Sequence, residues 1–183
     1  MIVICGKSGS GKDTIAKALL RLGLQRTITY TTRPRRKGEV DGETYHFVSD
    51  EKFQSLIDTD FIIETTEYKV ATGETWRYGT PFSGLDENKF IIMNPDGVKA
   101  ILHYPEYNPT IFFLYADDKV RLQRLEQRGD SVEEVHRRMI ADEKDFANIK
   151  DYYDFIVPNN ISDPNMVAEY IYYENKRNSS ENI

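Results

Sequence analysis

Gly6, Gly9, Gly11 and Lys12 stand at the spacing G-x-x-x-x-G-K. They follow the apolar run Ile2-Val3-Ile4-Cys5 and precede Ile15 and Ala16, where an apolar helical pattern resumes. Residues of these types in this order bind phosphate. Glycines let successive backbone N–H groups converge on one small concavity, at the positive end of the helix that follows. Lys12 adds a mobile point charge for the terminal phosphates of a nucleotide. The candidate cradle is Gly6, Lys7, Ser8, Gly9, Ser10, Gly11, Lys12, Asp13 and Thr14. A turn that binds nothing would need the glycines but not the lysine. After the lysine such loops usually carry Ser or Thr, whose hydroxyl ligates Mg²⁺. Here the residue is Asp13, followed by Thr14. A carboxylate is a hard-oxygen ligand, so Asp13 is the candidate metal ligand, although it adds negative charge near the phosphates.

A second cluster runs from Thr29 to Ser49 and interleaves Arg33, Arg35, Arg36 and Lys37 with hydroxyls, a Gly-Glu pair and Tyr45. A bare basic run would suit a solvated face equally well. Arginine forks bind phosphate bidentately and tyrosine supplies a further donor, so the interleaved form suits a second phosphate group. The net charge of the chain is -6, which argues against a long nucleic-acid track. Yet in the first forty residues Lys7, Lys12, Lys17, Arg21, Arg26, Arg33, Arg35, Arg36 and Lys37 oppose only Asp13 and Glu39. A basic segment inside an acidic protein fits a confined site for a small polyanion.

The elements that must position these residues follow from pattern. Ile15 to Leu24 reads as an amphipathic helix stopped at Gly23. Thr27 to Thr32 and Thr44 to Val48 read as strands, with Ser49 capping a helix through Phe53 and Ile57. Phe61 to Ile63 is a short apolar strand; Glu64 to Trp76 is polar and aromatic without a clear element. Phe90 to Met93 and Thr110 to Tyr115 are buried strands, Pro95-Asp96-Gly97 a break, and Val98 to Leu102 a short helix. Helices follow from Asp118 to Arg128 and, capped by Ser131, to about Asn148. Phe155 to Val157 is a strand, Met166 to Tyr173 a closing helix, and Asn178 to Asn182 a frayed tail. Strands alternating with helices mean an α/β fold with a parallel sheet flanked by helices.

The 183 residues fit one domain. No apolar run reaches membrane-spanning length, the first residues lack the basic segment of a signal peptide, and Cys5 is the single cysteine. These features point to the cytoplasm. His46, His103 and His136 are scattered without ligand spacing, Cys5 suits a core strand, and Trp76 suits either packing or stacking on a base.

The run Thr31-Thr-Arg-Pro-Arg-Arg-Lys-Gly-Glu-Val-Asp-Gly-Glu-Thr-Tyr-His-Phe-Val-Ser49 resembles the guanylate kinases, whose segment reads TTR-x-x-R-x-GE-x-DG-x-x-Y-x-FVS. The resemblance continues through Phe61 to Glu64, Tyr78-Gly79-Thr80, Gly97-Val98-Lys99 and Arg124 to Gly129, and covers essentially the whole chain. It implies a P-loop kinase that uses ATP and Mg²⁺ to phosphorylate GMP or dGMP, acting as monomer or homodimer, with no nucleic acid or membrane partner. It also implies one domain over 1–183: a core from 1–28, 89–118 and 149–175, a monophosphate-binding lobe from 29–88, and a helical lid from 119–148. Carried over, Arg33, Arg36, Tyr45 and Tyr78 meet the GMP phosphate, and Thr29, Glu64 and Thr80 read guanine, with Glu39 nearby. Arg128 and Arg138 are the lid arginines at the ATP phosphates, and Arg124 flanks the adenine. Lys12, Arg33, Arg128 and Arg138 would be the catalytic set. The family's Asp-x-Asp falls on Ile92 and Asn94, so Asn94 is left as a neutral guanine contact, and the Lys69 to Trp76 region holds extra residues. The alternatives are a kinase with another nucleotide or sugar-phosphate acceptor, and a non-catalytic binding module of the same fold. A module of that kind tends to lose the loop lysine and lid arginines, which this chain keeps.

Lys12→Ala should leave the fold intact and lower turnover on the order of a hundredfold or more, since it removes charge stabilisation rather than core. Near-normal turnover of the folded variant would exclude the phosphate-loop assignment.

Overall fold

The computed structural model describes residues 1–36, 38–70, 72–160 and 163–181. Lys37 of the basic segment and Asn182 of the tail lie outside them. Two compact units result: Met1–Arg26 together with Glu87–Ile183, and Thr27–Asp86.

The first unit is built on a five-stranded parallel sheet. β1 (Ile2–Cys5) lies at its centre, between β7 (Lys89–Ile92) and β8 (Thr110–Tyr115), with β2 (Gln25–Arg26) and β9 (Phe155–Pro158) at the edges. All of β1 is buried because helices cover both faces, which is why it reads as an unbroken apolar run. Ile2 and Ile4 pack with Ile15 and Leu19 of α1 (Lys12–Arg21) and Ala168 and Ile171 of α6 (Pro164–Glu181). From the opposite face, Phe113 meets Phe146 and Tyr153, with centroids 5.9 and 5.5 Å away. The remaining helices are α3 (Pro95–Ile101), α4 (Asp118–Gln127) and α5 (Val132–Asp145). Gly23 ends α1 in the left-handed region at φ 87°, and Ser131 caps α5 by accepting from the Glu134 N–H.

The second unit is a four-stranded sheet in the order β4 (Tyr45–Phe47), β3 (Thr29–Thr31), β6 (Thr75–Pro81) and β5 (Ile62–Lys69). β3 and β4 are parallel; β3–β6 and β5–β6 are antiparallel. Helix α2 (Asp50–Asp58), capped by Ser49 on the Lys52 N–H, buries Phe53 completely.

Thr27 to Thr32 holds the single short strand β3 (Thr29–Thr31), as its pattern predicts, and β2 precedes it in the first unit's sheet. Three sequence expectations change. Glu64 to Trp76 is not irregular but supplies most of the β5–β6 hairpin. Its half-buried positions, Glu64, Thr66 and Tyr68, are mostly polar, so apolar alternation does not reveal it. Pro95 opens α3 rather than breaking the chain, since a helix's first turn needs no N–H there and Asn94 caps it. Helix α6 does not fray after Tyr173; Asn178 Nδ2 donates to Thr110 Oγ1 at 3.2 Å and Ser179 Oγ to the Asn175 carbonyl at 2.9 Å.

Gly79 on β6 leaves no room for a side chain. A Cβ there would lie 2.8 Å from Ile62 Cδ1 and Cγ2 and 3.0 Å from Phe53 Cζ. Gly79→Ala should therefore cost about 1–3 kcal/mol of stability through overpacking, measured by urea unfolding. An unchanged midpoint would mean that β6 and α2 are not packed this tightly.

Candidate functional site

In the first unit, the turn after β1 holds its shape through glycine. Gly9 and Gly11 adopt φ 77° and 97°, which other residues reach only with strain. Gly6 is needed for space: a Cβ there would lie 2.5 Å from the Leu114 carbonyl oxygen. Gly11 is the N-cap of α1, so the helix's first, unpaired N–H groups and its dipole face the loop. Lys12 curls back over the loop and donates to the Gly6 carbonyl at 2.6 Å and the Lys7 carbonyl at 3.1 Å. Burial holds its ammonium below the ordinary lysine value, against the opposing charges of Asp13 and Asp142. An ammonium satisfied only by carbonyls is ready to exchange them for phosphate oxygens. Asp13 and Thr14 are exposed in the first turn of the helix. Cys5 is no nucleophile, because burial pushes its thiol up to about 12.

The loop is braced from distant segments. Arg124 donates to the carbonyls of Gly9 and Ser10, both at 3.3 Å, of Asn159 at 2.8 Å and of Asn160 at 3.1 Å. Its guanidinium is thus placed among loop carbonyls, and burial lowers its proton affinity. Asn159 Nδ2 also donates to the Ser10 carbonyl, at 2.8 Å, and stands 2.5 Å from where a Gly11 Cβ would be. Ser8 is held by Arg121 and Asp142, and Lys7 pairs with Glu143. None of Arg121, Asp142, Glu143 and Asn159 carried a sequence signal, because each gains its role only from a partner more than a hundred residues away.

At the turn between α4 and α5, Asp130 gathers the two expected lid arginines. Arg128 is bonded to it through Nε at 3.1 Å and through Nη2, and Arg138 Nε lies 3.8 Å from its Oδ2. Arg138 Nε also donates to Glu134 at 2.8 Å, and Arg137 binds the same carboxylate at 2.8 and 2.9 Å. The Arg137 hydrogen bond leads in holding Glu134 below the usual carboxylate range. Asn94, also in this unit, spends its Oδ1 on the Gly97 N–H at 2.8 Å as the cap of α3.

In the second unit, register gathers the expected acceptor residues on one sheet face. Tyr45 pairs with Thr29 and Glu64 with Thr80, and Tyr30 opposite Gly79 sets Thr29 opposite Thr80. Residues directly across strands share a face, so Tyr45, Thr29, Thr80 and Glu64 form one row over four strands. Tyr78 lies one step along β6 on the same face, its ring 5.8 Å from that of Tyr45. Thr80 Oγ1 donates to Glu64 at 2.7 Å, and Thr66 Oγ1 at 3.4 Å. At the Tyr45 end, buried Arg33 lies 5.4 Å from the ring centroids of Tyr45 and Phe47. Its fork binds Glu39 bidentately at 3.0 and 2.7 Å, and Glu39 also accepts the Arg36 N–H at 2.7 Å. Glu39 therefore orders the arginine segment instead of joining the Glu64 row. Burial would raise the Glu39 pKa, but the bonds from Arg33 and Arg36 and their charges outweigh it and hold it below the usual value. His46 packs against Tyr30, centroids 4.7 Å apart, and makes no part of this row.

The family described as guanylate kinase matches residues 1–169. The guanylate kinase of Syntrophomonas wolfei subsp. wolfei is 35% identical over 169 residues, covering 87% of this chain and 83% of that protein. That of Halalkalibacterium halodurans is 32% identical over 167 residues, 87% of this chain and 79% of the relative. In fold, the chain resembles the crystal structure of guanylate kinase from Anaplasma phagocytophilum, with TM-score 0.72 and 23% identity, covering 97% of this chain and 84% of that one.

The Glu39 contribution has a definite pH sign. A lowered carboxyl pKa adds stability that is present above the ordinary value of 4.5 and is lost as the pH falls through the lower folded value. Glu39→Gln should unfold at lower urea than wild type at neutral pH, and the two midpoints should converge in acid. A gap that stays constant through that range would exclude the linkage.

Proposed function

The chain belongs to the guanylate kinase family, and from that premise we propose how its residues transfer the γ-phosphoryl group of ATP to GMP. It is a nucleoside monophosphate kinase: a phosphate oxygen of GMP bonds to the γ-phosphorus of ATP, the bond to the β-bridging oxygen breaks, and GDP and ADP leave. The other acceptor classes and the non-catalytic module are not favoured. Such transfer needs little covalent help; it needs alignment and neutralisation of spreading negative charge.

The loop Gly6 to Thr14 takes the ATP phosphates, with Lys12 releasing its two carbonyls to meet them. Arg128 and Arg138, gathered at Asp130, add the further positive charge, and residues 119–148 act as the lid that excludes water. Arg124 sits beside the loop and flanks the adenine. Asp13 suits Mg²⁺: it offers an exposed carboxylate, and Mg²⁺ habitually takes one or two carboxylates plus phosphate oxygens and water. When bound there, the ion would neutralise charge on the β- and γ-phosphates.

Thr27–Asp86 is the acceptor lobe in this reading. Arg33, Arg36, Tyr45 and Tyr78 take the monophosphate, with Glu39 presenting the arginines. The observation that carries the base assignment is the row in which Thr29, Thr80 and the Glu64 carboxylate share one sheet face. An ionised carboxylate only accepts hydrogen bonds, so it pairs with guanine N1–H and amino donors and opposes adenine N1, an acceptor. Asn94 Oδ1 accepts the Gly97 N–H as a helix cap and has a second lone pair to serve as a neutral guanine contact, so the charged part of the selectivity falls to Glu64. The deoxy form dGMP is accepted too, and the enzyme works in the cytoplasm as monomer or homodimer, without nucleic acid or membrane.

A coupled ADP-release assay over an acceptor panel tests this. GMP or dGMP should exceed AMP by more than about tenfold in kcat/KM, a cautious bound on setting the half-buried Glu64 carboxylate against an acceptor. Glu64→Gln should erode that preference more than it lowers ATP affinity. Equal use of AMP and GMP, or a pyrimidine monophosphate as best acceptor, would overturn the base assignment.

A further inference from the structure

Ser8, within the phosphate loop, has every polar group bound by one buried ion pair. Its N–H donates to Asp142 Oδ2 at 2.8 Å, its Oγ to Asp142 Oδ1 at 3.2 Å, and its carbonyl accepts from Arg121 Nε at 2.9 Å. The same Arg121 closes the figure by donating Nη2 to Asp142, and Nη1 to Asp118 at 2.6 Å. Arg121 is 1% exposed and Asp142 7%, so both charges are withdrawn from water. A second observation ties the same helix to the loop. A Cβ on Gly9 would lie 2.6 Å from the Arg121 carbonyl oxygen, so α4 presses directly on the turn.

Packing alone does not call for this pair. Replacing a buried ion pair with apolar residues of similar volume is often neutral or stabilising. What an apolar pair cannot do is accept from one backbone amide and donate to its own residue's carbonyl, which fixes the orientation of the loop at Ser8. Arg121 lies on α4 and Asp142 on α5, the two helices that flank the arginine-bearing turn at Asp130. The neighbouring Lys7–Glu143 pair is largely exposed on the Glu143 side and adds little.

We infer that Arg121 and Asp142 are positioning residues for phosphoryl transfer, a clamp that orients the phosphate loop through Ser8 and couples it to the helices carrying the lid arginines. The inference rests on the reading of Gly6–Thr14 as the ATP phosphate site. Neither residue touches substrate in this account; both act through the loop backbone.

The test is the double variant Arg121→Leu/Asp142→Leu beside Arg121→Lys, each assayed below its thermal midpoint with ATP and GMP varied separately. The double variant should keep a midpoint near that of wild type while kcat/KM for ATP falls about tenfold or more, as a misplaced cradle demands. KM for GMP should stay within about twofold, because the acceptor row is untouched. Arg121→Lys keeps a charge for Asp142 but not the fork, and should likewise raise KM for ATP selectively. A double variant that is stable with wild-type ATP efficiency would overturn the clamp. So would an Arg121→Lys variant whose midpoint drops while its ATP constants stay unchanged, since that pattern is structural. If the wild type showed no ATP-dependent transfer, the phosphate-loop reading itself would fail, an outcome separate from both.

Discussion

Converging backbone N–H groups on a polyanion is the constraint from which the rest of this structure follows. Amides converge only where the chain turns through conformations that side chains resist, hence Gly9 and Gly11 at positive φ. Such a turn has little stability of its own, so it must be anchored at both ends and braced between. The entry anchor is β1, buried on both faces at the centre of the parallel sheet. The exit anchor is α1, whose Ile15 and Leu19 join the main core cluster. The braces are side chains from α4, α5 and the residues after β9, which bond to the loop's backbone.

The second unit, proposed above as the acceptor lobe, solves a different problem. A purine monophosphate presents donors, acceptors and charge along its length, so the surface that reads it cannot be apolar. The row from Tyr45 to Glu64 is accordingly tyrosine, threonine and carboxylate, kept in place by strand register instead of by packing. Its opposite face carries the stability, through Phe53, Ile62 and the gap left by Gly79. In that proposal, recognition and stability are divided between two sides of one thin sheet.

That division explains what was legible in the sequence. The central strands Ile2–Cys5 and Thr110–Tyr115 are apolar on both faces and could be read directly, as could the loop spacing and the caps at Ser49 and Ser131. The β5–β6 hairpin could not, since its half-buried face places Glu64 and Thr66 where periodicity looks for apolar residues. Pro95 was misleading because the same residue that ends one element begins another. Arg121 and Asp142 were invisible for a different reason. A charged residue on a helix announces solvent, and only the three-dimensional meeting of two such residues turns them into a buried pair. Glu39 was legible as part of a motif, but its bond to Arg33 instead of a base was not.

The bracing of the loop also has an order in time. The segment Gly6 to Asp13 precedes all of these braces in the chain, so it is synthesised before them. Its bonds run to partners 113 residues away at Arg121, 134 at Asp142 and 149 at Asn159. Contacts of such separation form late, because loop closure must be met before they return anything. Even the oxygen that demands glycine at position 6 belongs to Leu114. A nascent chain can therefore display the whole phosphate-binding signature while lacking the means to hold it in shape.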